Sequence, residues 1–179
     1  MMNLNDLKYP IGQFVMPKSL AMHEIKEGIE TLASFPEKLK ALVKSITAEQ
    51  ENWVYRPDGW SIKQVIHHCA DSHMQSVTRF RWVLTESIPT IKTYHEALWA
   101  QMSDYQGPIQ PSLEIISGLH VRWVYLLNSM KPHDFEKTFV HPDHHREMRL
   151  DENLALYAWH GEHHLAHISQ ALESKGTYA

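Results

Sequence analysis

One cysteine, Cys69, stands in 179 residues, so no disulfide can staple this chain internally. That fits a reducing compartment, and cytoplasmic residence is the expectation. Glycine is scarce at seven residues, which leaves few tight turns and favours long helices. No apolar run approaches the length of a membrane span, so no membrane association is expected. The start, Met1-Met2-Asn3-Leu4-Asn5-Asp6, lacks the basic residues and apolar run of a secretory signal. Positive charge is not in excess either: 17 Lys and Arg face 21 Asp and Glu, for a net −4. With no basic stripe and no interleaved basic and aromatic run, nucleic acid is not an expected partner. What is abundant is histidine. There are 14, and many are clustered.

The length suits one domain with a real core. Residues 1–18 carry Pro10, Gly12 and Pro17 without a lasting period and read as an extended arm, leaving 19–179 as a single domain. From Ser19, the residues Leu20, Ile25, Ile29, Leu32, Leu39, Leu42 and Ile46 keep a helical period. Pro36 falls inside it, where a kink or a second helix start is expected. Thr47-Ala48-Glu49-Gln50 resembles a capping box. Ser61 is the expected N-cap of a second long helix, with Ile62, Val65, Ile66, Cys69, Val77, Phe80 and Leu84 inward and a stop before Pro89. A short helix is expected over 94–103, and a third long one over 112–130, buried through Leu113, Ile116, Leu119, Trp123, Leu126 and Leu127. Residues 133–150 read as a hairpin or an ordered loop. Asp151 is the expected cap of a fourth long helix reaching Ser174. The sum is an all-α four-helix bundle with short extra helices.

The strongest motif is His160-Gly161-Glu162-His163-His164. His160 and His164 stand four residues apart, which puts both imidazoles on one helix face within reach of one ion. Catalytic metal sites use three protein ligands and leave a position open, and His67-His68 offers the third. Spacing alone does not choose between those two. Neutral imidazole suits zinc, nickel, copper and iron; zinc or nickel is the foremost expectation. The zinc-protease pattern is not met, because it needs glutamate where Gly161 stands. Glu162 sits about 200° further round the helix and faces away. The plain alternative is that such histidine pairs occur often on helices as solvated or core residues.

Other features carry less. His163 and His167 share a broad side of the fourth helix and are candidates to support the ligands, or simply surface residues. Asp71, three residues after His68, is a candidate orienting or proton-accepting group. His141-Pro142-Asp143-His144-His145 looks like a second metal cluster but sits in irregular chain and reads better as a solvated loop. Cys69 lies on the apolar stripe and reads as core rather than nucleophile. Trp60, Trp99, Trp123 and Trp159 read as packing.

Several segments together resemble the DinB superfamily, and most closely its YfiT-like branch: Gly59-Trp60-Ser61-Ile62, His68-Cys69-Ala70-Asp71-Ser72-His73, and Leu156-Tyr157-Ala158-Trp159-His160 with His164 and His167. Tyr9-Pro10-Ile11-Gly12 adds to the likeness, which runs in order over nearly the whole chain. The resemblance implies an up-down-down-up bundle and one divalent metal ion held by His68, His160 and His164. It settles on His68 rather than His67. Cys69 stands where leucine is usual and puts a thiol near the site. The resemblance also implies a homodimer and a small-molecule substrate, with two enzyme readings. In one, a low-molecular-weight thiol such as bacillithiol takes the open position and attacks an electrophile, in detoxification. In the other, the metal acidifies water for hydrolysis, which calls for a base, and Asp71 and His163 are the weak candidates. The want of a convincing base tilts the reading towards the transferase. A metal-binding stress protein without catalysis is the third reading; three neutral ligands argue against a purely structural ion, since structural sites are usually closed by four.

Overall fold

The computed structural model describes residues 3–144 and 146–178. Among them are helices α1 (Leu4–Lys8), α2 (Met22–Val43), α3 (Ile62–Thr85), α4 (Glu96–Trp99), α5 (Gln110–Ser129) and α6 (Leu150–Glu173), with a hairpin of strands β1 (Thr138–His141) and β2 (Arg146–Arg149). The four long helices form the bundle. Helix α2 packs against α5 and α6, and α3 packs against the same two, so α2 and α3 lie on a diagonal. Gly28 abuts Leu154 and Gly161 abuts Phe35, so α2 and α6 run parallel. His67 meets Ser112 and His73 meets His120, so α3 and α5 also run parallel. Asn153 bonds Ser76 while His160 meets His68, so α3 opposes α6. This is the up-down-down-up order.

Local signals explain most helix ends. Ser61 Oγ accepts from Gln64 N at 3.3 Å and Gln64 Oε1 accepts from Ser61 N at 3.0 Å, a reciprocal cap on α3. The same exchange joins Thr47 and Gln50. Helix α6 starts differently from the expected Asp151 cap. Arg149 is the N-cap, and its N–H donates to Glu152 Oε2 at 2.8 Å. Asp151 is instead buried at 1% exposure, bonded to Leu20 N at 3.2 Å and paired with Arg149 at 2.8 Å. A carboxylate out of water needs a charged partner more than a helix start needs a cap.

Two further expectations change. The arm is not wholly extended: Asn3 Oδ1 caps α1, and Leu7 is buried. It lies along α6, where Gln170 Nε2 donates to Leu7 O at 3.0 Å and Tyr9 stacks on His163. Pro36 neither starts a second helix nor ends the first; α2 runs through it. Proline has no N–H for the carbonyl four residues back. That carbonyl, Leu32 O, receives His120 Nδ1 at 2.7 Å instead. For 133–150 the hairpin is the form adopted, with Phe139 opposite Met148, both buried.

The core has two apolar halves. One gathers Ile29, Leu32, Phe80, Trp123, Leu127 and Leu154; the other gathers Phe35, Leu39, Ile66, Cys69, Ile116 and Ile168. Between them every long helix except α2 contributes polar residues: Ser72, His73 and Ser76 from α3, His120 from α5, and His160, His163 and His164 from α6. This polar waist positions the site.

Candidate metal centre

Each ligand candidate is placed by its helix. His68 lies on α3, buried at 6% exposure, with its ring against Trp60 at 4.8 Å. His160 and His164 lie one turn apart on α6 with ring centroids 4.4 Å apart. Nε2 of His68 and Nε2 of His160 face each other at 3.1 Å across the helix interface. One ligand atom from each of His68, His160 and His164 falls within 4.8 Å of the others. Tetrahedral zinc, with Zn–N near 2.0–2.1 Å, would space its nitrogens by about 3.3 Å. The His68–His160 pair already has that spacing, and His164 lies close enough to complete a set of three imidazoles with an open position.

Electrostatics agree with the geometry. Burial pushes His68 down to about 4. It holds His160 and His164 well below the ordinary histidine range, helped by their histidine neighbours. All three are neutral at pH 7, the form that ligates metal. No carboxylate joins them among the described residues.

Behind the ligands stand more histidines. His160 Nδ1 is 3.1 Å from His73 Nε2, and His73 Nδ1 is 2.7 Å from His120 Nε2. His164 Nδ1 is 3.3 Å from His167 Nδ1, and His167 Nε2 donates to Lys8 O at 3.1 Å. Since both α6 ligands have Nδ1 engaged at the back, Nε2 is the atom each turns to the site. Phe35 stacks on His120 at 5.2 Å and meets His73 at a tilt at 5.0 Å. Gly161 makes this possible, because a Cβ there would meet Phe35 Cδ2 at 3.0 Å. The glycine that breaks the protease pattern thus eases the packing of Phe35 against α6.

The remaining candidates are distributed as follows. His67 turns to α5, with Nδ1 2.7 Å from Ser112 Oγ. Asp71 does not bond His68; it accepts Tyr105 OH at 2.6 Å, and burial raises its carboxyl. His163 stacks on Trp159 at 4.3 Å and is pushed down to about 4 by burial. Cys69 is wholly buried, and burial raises its thiol far above neutrality, so it serves packing and not redox chemistry. Glu162 points outward to Lys38 at 2.7 Å. His145 lies outside the described residues, so the 141–145 cluster is only partly described; His141 ends β1 and Pro142–His144 forms one turn. His120 is the residue that the sequence reading missed. It occupies the stripe Leu113, Ile116, Trp123, Leu127, and that stripe together with the carbonyl orphaned by Pro36 was the available signal.

A bundle of this topology with three convergent histidines defines a known class, and the chain belongs to the DinB superfamily, whose sequence pattern matches residues 31–168. Its fold is that of YfiT from Bacillus subtilis, described as "a probable metal-dependent hydrolase with an unusual four-helix bundle topology", at a TM-score of 0.92 and 38% identity over 96% of this chain and 98% of that one. A Halalkalibacterium halodurans protein named "Putative metal-dependent hydrolase" is 42% identical over 93% of this chain and 97% of its own. One of the same name from Bacillus cereus AH820 is 45% identical over 93% and 95%.

Proposed function

We propose that this chain is a divalent-metal-dependent enzyme that transfers a low-molecular-weight thiol, of the bacillithiol kind, to small electrophilic molecules. The observation that carries the reading is the convergence of His68, His160 and His164 with their ligand atoms within 4.8 Å. A zinc or nickel ion held by these three histidines would supply the acidifying charge for a thiol or water in the position they leave open. The protein's own part is to hold three neutral imidazoles, so that no anionic ligand offsets the charge felt by an incoming thiol. The thiol loses its proton to solvent and its sulfur bonds the electrophilic carbon, whose leaving group departs with the bonding electrons. No protein nucleophile is needed, which suits a chain whose lone thiol is buried.

Hydrolysis is the second reading, favoured by the name its relatives carry. It asks for a base beside the site. Asp71 is already engaged by Tyr105, and His163 is stacked on Trp159, so neither is aligned for the role; this weighs towards the transferase. A homodimer completes the proposal and is read by light scattering.

The test uses tag-free protein loaded with zinc or nickel, a chromogenic aryl halide and a panel of thiols. Turnover that needs a thiol and disappears in His68→Ala is expected. Ester or amide turnover without any thiol would establish hydrolysis instead, and silence in both panels would leave a binding protein.

A further inference from the structure

The imidazoles behind the centre form two rows, and each row ends on a backbone carbonyl. That fixes where every proton sits. A carbonyl oxygen only accepts, so His120 Nδ1, 2.7 Å from Leu32 O, carries a proton. Burial lowers His120 to about 4 and keeps it neutral, so its Nε2 is bare. This nitrogen is 2.7 Å from His73 Nδ1, which must donate. His73 is wholly buried, and with its one proton on Nδ1 its bare Nε2 accepts from His160 Nδ1–H at 3.1 Å. His160 is left with a bare Nε2, 3.1 Å from Nε2 of His68. The second row obeys the same rule. His167 Nε2 donates to Lys8 O at 3.1 Å, so its bare Nδ1 accepts from His164 Nδ1 at 3.3 Å. His164 is left with Nε2 bare as well.

We propose that His120 and His73, anchored on Leu32 O, and His167, anchored on Lys8 O, are positioning residues that lock His160 and His164 in the Nδ1–H tautomer and aim both Nε2 lone pairs at one point. Which ring nitrogen of a histidine binds metal is set by the bond that the other makes. Both anchors are carbonyls without a helical partner: Pro36 has no N–H to give Leu32, and Lys8 is the last residue of α1. The irregular proline of α2 and the arm thus acquire a purpose at the site. Imidazole stands where a carboxylate often backs a metal-binding histidine. No negative charge is added from behind, which leaves the ion's charge for the fourth ligand. The assignment rests on the metal-centre reading for its purpose, not for its geometry.

The test begins without metal. Protein labelled with 15N histidine and stripped by chelator is examined by long-range 1H–15N correlation at pH 7.5. His73, His120, His160 and His164 should carry their proton on Nδ1, and His167 on Nε2. Zinc affinity is then measured by competition with a chromophoric chelator. His120→Leu should weaken it about 10–100-fold and free His160 to adopt both tautomers. His120→Gln, whose amide offers one donor and one acceptor, should restore the affinity and the Nδ1–H form. His160 protonated on Nε2 in the wild-type protein would overturn the proposal, as would unchanged affinity in a folded His120→Leu. The wild-type spectrum decides the matter even where His120→Leu does not fold. The expected tautomers in a protein that binds no zinc would sink the metal-centre reading and leave the proton assignment standing.

Discussion

Nε2 of His68, on α3, faces Nε2 of His160, on α6, at 3.1 Å. Two imidazole nitrogens at that distance repel unless a cation or a proton lies between them. The protein holds them there with a packed bundle on both sides and a histidine behind His160. The consequences can be measured on stability as well as on metal.

Acid should weaken the metal-stripped protein well before its carboxylates titrate. His120 is lowered from 6.5 to about 4 by burial, only partly offset by its bond to Leu32. The unfolded chain therefore takes up a proton near pH 6.5 that the folded chain refuses until about pH 4. Stability is full above pH 6.5 and is lost as pH falls through this window. The slope approaches about 1.4 kcal/mol per pH unit for each such histidine. His68 and His163, also lowered to about 4, add to it. Urea unfolding at stepped pH should show the loss, and His120→Gln should remove one histidine's share of the slope.

Gly161→Ala sets two effects against each other. Alanine favours a helix over glycine by about 1 kcal/mol. Its Cβ would press on Phe35 at 3.0 Å, and overpacking costs about 1–3 kcal/mol. Phe35 is 1% exposed and braced by His73 and His120, so yielding to the new Cβ disturbs its packing. A net loss of about 1 kcal/mol in thermal or urea unfolding is expected. In a Phe35→Leu background, where the obstruction is smaller, the same change should turn neutral or stabilising.

Cys69 should be silent in the native protein. It is fully buried and its thiol is held protonated. An aromatic disulfide reagent should label no thiol in buffer and one per chain in denaturant. Rapid native labelling would show that the helix opens locally around residue 69.

Much of the bundle was legible because α3, α5 and α6 write their buried faces in apolar residues and Ser61-x-x-Gln64 writes its cap. The pair His160 and His164 was legible from spacing. The choice between His67 and His68 was not readable from residues alone, because both are buried, at 8% and 6% exposure, and neighbours on a helix point about 100° apart. What separates them is that α3 touches α5 on one side, where His67 meets Ser112, and α6 on the other, where His68 meets His160. That depends on the diagonal placement of α2 and α3, which no local period encodes; the family resemblance alone named His68, the one of the two that lies beside His160 and His164. His120 escaped for a related reason. A polar residue in an apolar stripe is explained only by its partner, and the partner is a carbonyl 88 residues away.

Metal content of tag-free protein, measured by inductively coupled plasma mass spectrometry beside His160→Ala, tests whether His68, His160 and His164 hold an ion. One divalent ion per chain is expected in the wild-type protein and almost none in the variant, with the helical circular dichroism of the two unchanged. Equal metal in both, or none in either after loading with zinc and nickel, would contradict that ligand set.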